Sequence, residues 1–462
     1  MEYLRLLFAY LFPLIIGFVA ISLVEKKGKG IGLGEKLALS FILGTGLISL
    51  YIFYLGFLGI KFAWAGIIAL PIVVLPAGII VLKRRGWKSC FSSGPRRPFR
   101  ATGAVGKLIV ILIGALLIWK IAFISFLILS KPTYFDDSVA NYNFKAKVFY
   151  HHRSLVLESE HPDFLGGYMP WKSLGIPLFK TWVTICLGKW EEHAVNLNTL
   201  FVFLALGLIS YYNLVRLMSA LASLVFTYII LSIPLLTFHA GFAYVDMIVG
   251  CYFFSGIVYL IRGVREHDRR ALFISALLFG AGLATKDDMI AIFVGGVLPV
   301  LILYQLIARL NLKSTLRTTI PYLFIIIILN LPWFVIKKTY HLAVGLPAEY
   351  RKFEFHPEAF GILASYLFDS GNYNILWTVF FCTLIFSSCL IVRTELKYVL
   401  ISLAGAIAVT FSLFIFTSVF EWLRGGMTIN RAVLSFMPVL IWYMALFYGK
   451  ATEKTQDAFL KE

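Results

Sequence analysis

Leu108 to Ser130 is a long apolar run, and Lys131-Pro-Thr-Tyr-Phe-Asp-Asp-Ser-Val-Ala-Asn-Tyr142 follows it directly. A helix needs roughly 20 apolar residues to cross about 30 Å of hydrocarbon, so the run reads as a transmembrane span. Asp136 and Asp137 then stand within a few residues of a membrane surface. A carboxylate pair at that depth needs a chemical reason, because charge near a bilayer is costly and normally faces a cavity or a partner.

The rest of the chain has the same character. It has 462 residues, of which 60% are hydrophobic and 14% charged. A soluble domain carries about 25% charged residues. Apolar runs recur at 5–24, 37–59, 62–82, 108–130, 197–215, 219–237, 243–261, 271–285, 288–308, 318–336, 374–392, 398–419 and 432–449. The expected fold is an all-α polytopic membrane protein with about 13 transmembrane helices. A β-barrel would instead show ten-residue alternation. The net charge of +18 reads as membrane topology and not as a nucleic-acid surface, since basic residues collect in cytoplasmic loops. Cys90, Cys186, Cys251, Cys382 and Cys389 include no C-x-x-C pair, so neither a disulfide framework nor a thiolate metal site is expected.

Loop charges orient the spans. Loop 83–107 carries Lys83, Arg84, Arg85, Lys88, Arg96, Arg97, Arg100 and Lys107 with no acid, which places it in the cytoplasm. The balanced loop 131–173 is then external, the N-terminus outside and the C-terminus cytoplasmic. This alternation holds only if the short apolar run 174–188, with Pro177 and Lys180 inside it, is interfacial or re-entrant. The linker 89–100 divides a three-span accessory unit with its basic linker (1–100) from a catalytic core (101–449), and 450–462 is a tail. The start of the chain reads as a retained helix, not a signal peptide. The lack of long tails favours a prokaryotic plasma membrane over endoplasmic reticulum.

With this orientation the acids share one face. Asp136 and Asp137 open the first external loop, Asp246 starts a span from outside, and Lys286, Asp287 and Asp288 interrupt an apolar run. Lys286, Lys337, Lys338, Arg351, Arg424 and Arg431 are the cations on that side. Each has a plain structural reading as well: helix capping for Asp136 and Asp137, dipole stabilisation for Asp246, snorkelling for Lys337 and Lys338. A paired carboxylate either accepts the proton of an attacking hydroxyl or joins other acids around a hard divalent cation, Mg or Mn. The stretch Ala140 to Tyr150, including Tyr142, reads as an amphipathic helix on the membrane. His151, His152 and His161 lack an H-x-x-x-H spacing, and zinc is not expected from them.

Phe135-Asp-Asp-Ser-Val-Ala-Asn-Tyr-Asn-Phe-Lys-Ala-Lys-Val-Phe-Tyr150 with Arg153-Ser-Leu155 resembles the first external loop of GT-C superfamily membrane glycosyltransferases, of the protein-mannosyltransferase and aminoarabinose-transferase kind. Tyr168-Met-Pro170 with Leu174-Gly-Ile-Pro177, Gly280-Ala-Gly-Leu-Ala-Thr-Lys286, Leu331-Pro-Trp-Phe-Val-Ile-Lys337 and Arg431 through Pro438 resemble later family segments in the same order. The resemblance spans about residues 108–445; the three N-terminal spans have no counterpart in it. It implies a polyprenyl-phosphate-sugar donor, an external glycan, lipid or protein acceptor, and inverting transfer. Asp136 or Asp137 would be the general base. Asp246 would shape the site, and Lys286 and Arg431 would contact the donor phosphate. Asp287, Lys337 and Tyr142 complete the expected substrate-binding set. The rival readings are a transporter or lipid flippase, and a structural subunit of a cell-envelope assembly. Internal repeats, which many transporters carry, are not visible in the two halves.

Overall fold

The structure, a computed structural model, describes residues 1–25, 31–86, 103–307, 312–345, 347–369, 371–373 and 375–459. The linker 89–100 and Lys88, expected to be cytoplasmic, lie outside the described residues, as does Cys90. The side chain of Arg351 is likewise outside the description.

The described residues form helices and loops, with one isolated antiparallel bridge between Phe353 and Thr417. The first long helices are α1 (Glu2–Val24), α2 (Leu33–Phe57), α3 (Trp64–Arg85) and α4 (Gly103–Ser130). In α5 a π-helical Asp137–Phe144 runs into an α-helical Lys145–His152. Next come α6 (Gly175–Leu187), α7 (Glu192–Leu214), α8 (Ala220–Leu231), α9 (Pro234–Gly241), α10 (Asp246–Arg265) and α11 (Arg269–Thr285). α12 begins as Met289–Ile292, passes through a π-helical Phe293–Val297 and continues as Leu298–Ile307. The chain ends with α13 (Leu312–Thr339), α14 (Glu358–Phe368), α15 (Leu376–Ile391), α16 (Leu396–Phe416), α17 (Phe420–Arg424), α18 (Met427–Leu434) and α19 (Met437–Phe459).

Among the described residues eight helices are long and apolar enough to cross a membrane: α1 to α4, α7, α10, α13 and α16. The pairs α8–α9 and α18–α19 are bent by 65° and 44°, and bring the number to 10 if each is one span. Proline explains both breaks: Pro234 is the first residue of α9 and Pro438 the second of α19, and neither has an N–H to continue the helix before it. α11 has 17 residues and α15 has 16, short of the length applied to the others. Length and apolarity among the described residues thus support eight to ten spans.

Burial separates inside from outside. In α10 94% of the apolar window is buried, against 11% in α4. Ile118 and Trp119 of α4 are 70% and 71% exposed, a surface suited to lipid and not to water. α1 and α2 belong to the interior. The Trp182 indole of α6 donates to Ala9 O at 2.9 Å, and Tyr252 of α10 donates to Ile42 O at 2.7 Å. Two of the three helices of the expected accessory unit thus share the packing of the core, whereas in α3 17% of the apolar window is buried.

α6 does not cross the bundle. Its first residue, Gly175, packs on the backbone of Ala284 and Thr285. Past its last turn, Gly188 O accepts from Tyr150 at 2.7 Å, and α7 starts nearby, where Glu192 Oε1 accepts from Thr133 N at 2.6 Å. Unlike an interfacial helix, α6 is buried along its whole length. α5 packs against it with Phe149 fully buried, so this stretch is part of the protein interior and not only a membrane-surface helix.

Candidate functional site

The site forms where the ends of α5, α9, α10, α11, α12 and α13 meet α18. Asp136 caps α5: its carboxylate accepts from Asp137 N at 2.7 Å and from Tyr244 Oη at 3.1 Å. Its Oδ1 takes both bonds, and the residue is exposed. The π-helical turn that follows widens the helix by one residue per hydrogen-bonded loop, a distortion that recurs at functional sites. It places Asn141 where its amide donates to Asp137 Oδ1. Lys172 donates to the same oxygen at 3.0 Å, and Asp137 Oδ2 lies 2.6 Å from Arg431 Nη2.

Arg431 bridges. Its Nε donates to Asp246 Oδ2 at 2.9 Å, and its guanidinium lies 4.8 Å from the Tyr244 ring centre. Asp246 is buried at the first turn of α10, where the helix N-terminus favours an anion. Lys286 donates to its Oδ1 at 2.7 Å and also pairs with Asp288. His239 Nδ1 stands 3.5 Å from Asp246 Oδ2, and its ring stacks on Tyr244. Beside this network Asp287 accepts from Ser173 Oγ at 2.5 Å, from Lys337 and from Gly345 N at 3.2 Å. Lys337 sits 4.9 Å from the Trp333 ring centre. Tyr142 is buried next to Asp137.

Burial and charge oppose each other here. Burial raises the Asp137 carboxyl, but Arg431 and Lys172 outweigh it and hold the group at about 2. Burial lowers the Lys286 ammonium, yet Asp246 and Asp288 carry it above its usual value. Burial first, then Asp137 and Asp246, raises the Tyr142 phenol well above 10. Lys145, buried and donating to Met169 O at 2.8 Å, is pushed down to about 7, by burial and then by Lys172.

Next to the charges lies a cavity of about 420 Å³ whose lining is mostly apolar. Asp287 and Asp288 border it, with Ala291, Val409, Leu413 and Phe436 among its walls. Val294 of the second π-helical turn, Phe293–Val297, and Val409 of α16 are also among its walls, and the turn is pressed against α16. A Cβ on Gly295 would run into the Gly405 carbonyl, and one on Gly405 into that of Gly295, so only glycine lets the backbones approach this closely.

All the expected site residues, Asp136, Asp137, Tyr142, Asp246, Lys286, Asp287, Lys337 and Arg431, fall in this one region. Lys172, Ser173, His239 and Tyr244 were not singled out as site residues by the sequence. Lys172 and Ser173 lie in irregular loop, between the segments Tyr168–Pro170 and Leu174–Pro177, where no periodicity marks them. Tyr244 is two residues before Asp246 and turns inward because Ala243 has a left-handed φ of 57°. The cations assigned to a donor phosphate are here neutralised by protein carboxylates. Among the described residues, the three-residue group that could grip a metal is His152, His161 and Asp163, and not the acids of this site. No protein-family profile, curated protein or solved structure matches the chain.

Proposed function

We propose that the chain is a GT-C-type membrane glycosyltransferase, with its 13 apolar runs crossing the membrane. In this reading it moves a sugar from a polyprenyl-phosphate donor to a lipid, glycan or protein acceptor on the extracytoplasmic face of a plasma membrane. One observation carries the reading: a dense charge network sits directly beside an apolar cavity of about 420 Å³. A lipid-phosphate substrate needs that adjacency, with room for a chain and cations for a headgroup.

The reaction assigns each side chain a task. Asp136, exposed and with one oxygen outside the capping bonds, takes the acceptor hydroxyl proton. The freed oxygen forms its bond to the anomeric carbon as the bond to the phosphate oxygen breaks, and the polyprenyl phosphate leaves with the electron pair. Asp137 is a counter-ion that orients Arg431; a carboxyl held at about 2 is a weak proton acceptor. Lys286 steadies the leaving phosphate. Its bond to Asp288 is the one to give way, since Asp288 is 53% exposed and Asp246 is 1% exposed. A hard divalent cation, Mg or Mn, would supply further charge for the phosphate, but among the described residues the acids of this site form no three-ligand group for one.

The rival is a transporter or flippase. It draws on a second cavity, of about 460 Å³, bordered by Arg216, Arg262 and Arg265 at the opposite end of α10. Purified protein offered a panel of radiolabelled polyprenyl-phosphate sugars, with and without chelator, separates the two. Donor-dependent transfer that falls about 10²–10⁴-fold in Asp136→Asn supports the enzyme. Unchanged turnover in Asp136→Asn overturns its role as base. If no donor binds and liposomes show flux, the transporter reading takes over.

A further inference from the structure

Lys172 and Ser173 reach the site from loop 153–173, and this loop is irregular. Arg153, Val156, Leu165 and Met169 have left-handed φ values of 54°, 50°, 48° and 49°. Such non-glycine conformations are costly and persist only where surrounding contacts impose them. The 3₁₀ turn Phe164–Gly166 lies midway along the loop. Downstream, Phe164 packs on Tyr340, and Lys145 donates to Met169 O at 2.8 Å.

Upstream, three metal-capable side chains come together. His152 ends α5, the chain turns back at Arg153, and His161 and Asp163 return to it. His152 Nε2 lies 2.7 Å from Asp163 Oδ2, and Asp163 N donates to His161 Nδ1 at 3.0 Å. The rings of His152 and His161 stand 5.1 Å apart at 89°. One ligand atom from each residue lies within 4.8 Å of the others. All three residues are half-buried, so an ion has access to them.

We propose that His152, His161 and Asp163 bind one divalent transition metal of the zinc class, which pins loop 153–173 to the end of α5. Two imidazoles and a carboxylate suit Zn²⁺ or Co²⁺ better than Mg²⁺, which prefers oxygen ligands. Around a tetrahedral ion with bonds of about 2.0 Å the ligand atoms stand about 3.3 Å apart, so the group closes slightly on binding. Water fills the fourth position. The metal replaces the Asp163 bonds to His152 and His161 with stronger links between the same residues. It thereby fixes the loop that delivers Lys172 to Asp137 and Ser173 to Asp287. The signal is absent from the sequence spacing, because the turn at Arg153 creates it. This inference does not depend on glycosyl transfer.

The test uses full-length protein in detergent, stripped with chelator and free of any polyhistidine tag. Co²⁺ and Zn²⁺ are titrated, with cobalt absorption and retained zinc per chain as readouts. One equivalent should bind and give a tetrahedral cobalt spectrum. His161→Ala and Asp163→Asn should each weaken binding at least about tenfold. Zinc should also slow proteolysis within 153–173 in the natural chain and not in the variants. Asp163→Asn keeps volume and a hydrogen-bonding group, so it guards against a result that reflects misfolding alone. No retained zinc and no cobalt spectrum in the natural chain, or equal affinity in both variants, would overturn the site.

Discussion

Arg431 Nε donates to Asp246 Oδ2 at 2.9 Å across 185 residues of chain. Their side chains are 14% and 1% exposed, so water screens the pair little. Removing one partner of a buried pair strands the other charge, at a cost of about 3–5 kcal/mol. Arg431→Ala should therefore lower unfolding stability by about that amount in lipid nanodiscs. Adding Asp246→Asn should recover part of the loss. Arg431→Lys should not recover the natural stability, because an ammonium lacks the planar fork that grips Asp137 and Asp246 together. If Arg431→Ala unfolds at the natural midpoint, the pair does not hold the site together.

Asp137 makes a prediction in pH. Its folded value of about 2 lies below the ordinary 3.8 because Arg431 and Lys172 overcome the effect of burial. A depressed acid contributes stability that is complete above its unfolded value and is lost as pH falls through the folded one. The natural chain should thus hold its stability from pH 7 to about 5, then lose about 2 kcal/mol from this group as pH falls towards 2. Asp137→Asn should be less stable at pH 7, and its acid loss should be smaller by that amount. Parallel acid profiles for the two chains would show that Asp137 is not held by these cations.

Much of this site was legible because charge inside an apolar chain is rare and so carries information. Asp246 and Arg431 stand out from their flanks, and the requirement that such groups pair explains why they meet. Asp136 and Asp137 were visible for the same reason, but their division of labour was not. The proposed division depends on Arg431 and also on Lys172, whose position follows from an irregular loop with no periodic signal. The helices were legible from length and hydrophobicity, whereas their bends were marked only by Pro234 and Pro438. The apolar cavity was invisible, since its walls come from segments distant in the chain, such as Ala291, Val344, Val409 and Phe436. The pairing of His152 with His161 and Asp163 likewise exists only after the turn at Arg153.

Further along α10, about 20 Å from Asp246, the chain buries a second ion pair. Glu35 is fully buried and lies 2.5 Å from Arg216, and it accepts from Tyr259 at 3.0 Å and Asn213 at 3.2 Å. Arg216→Met alone should destabilise by about 3 kcal/mol, because it removes the partner of the buried Glu35. Arg216→Met with Glu35→Leu should recover most of that loss, since well-packed apolar replacements of buried pairs are often neutral. Thermal unfolding of the three chains checks this. A double variant as unstable as the sum of its parts would show that Glu35 is needed for Tyr259 and Asn213, and not only for Arg216.

The cavity beside Asp287 and Asp288 supplies the last prediction. Ala291 lines it from α12, next to the π-helical turn, and Val409 faces it from α16. If the lipid chain of a donor lies in this space, filling it should block binding without touching the charges. Ala291→Trp puts a bulky ring into this space of about 420 Å³ while leaving Asp136, Lys286 and Arg431 in place. Donor affinity should fall at least about tenfold, the equivalent of 1.4 kcal/mol, and the thermal midpoint should change little. A short-chain donor analogue should lose less affinity than a full-length one, because it has less chain to exclude. Equal losses for both would mean that the substitution disturbs the headgroup site. No loss for either would place the lipid chain along another surface of the bundle.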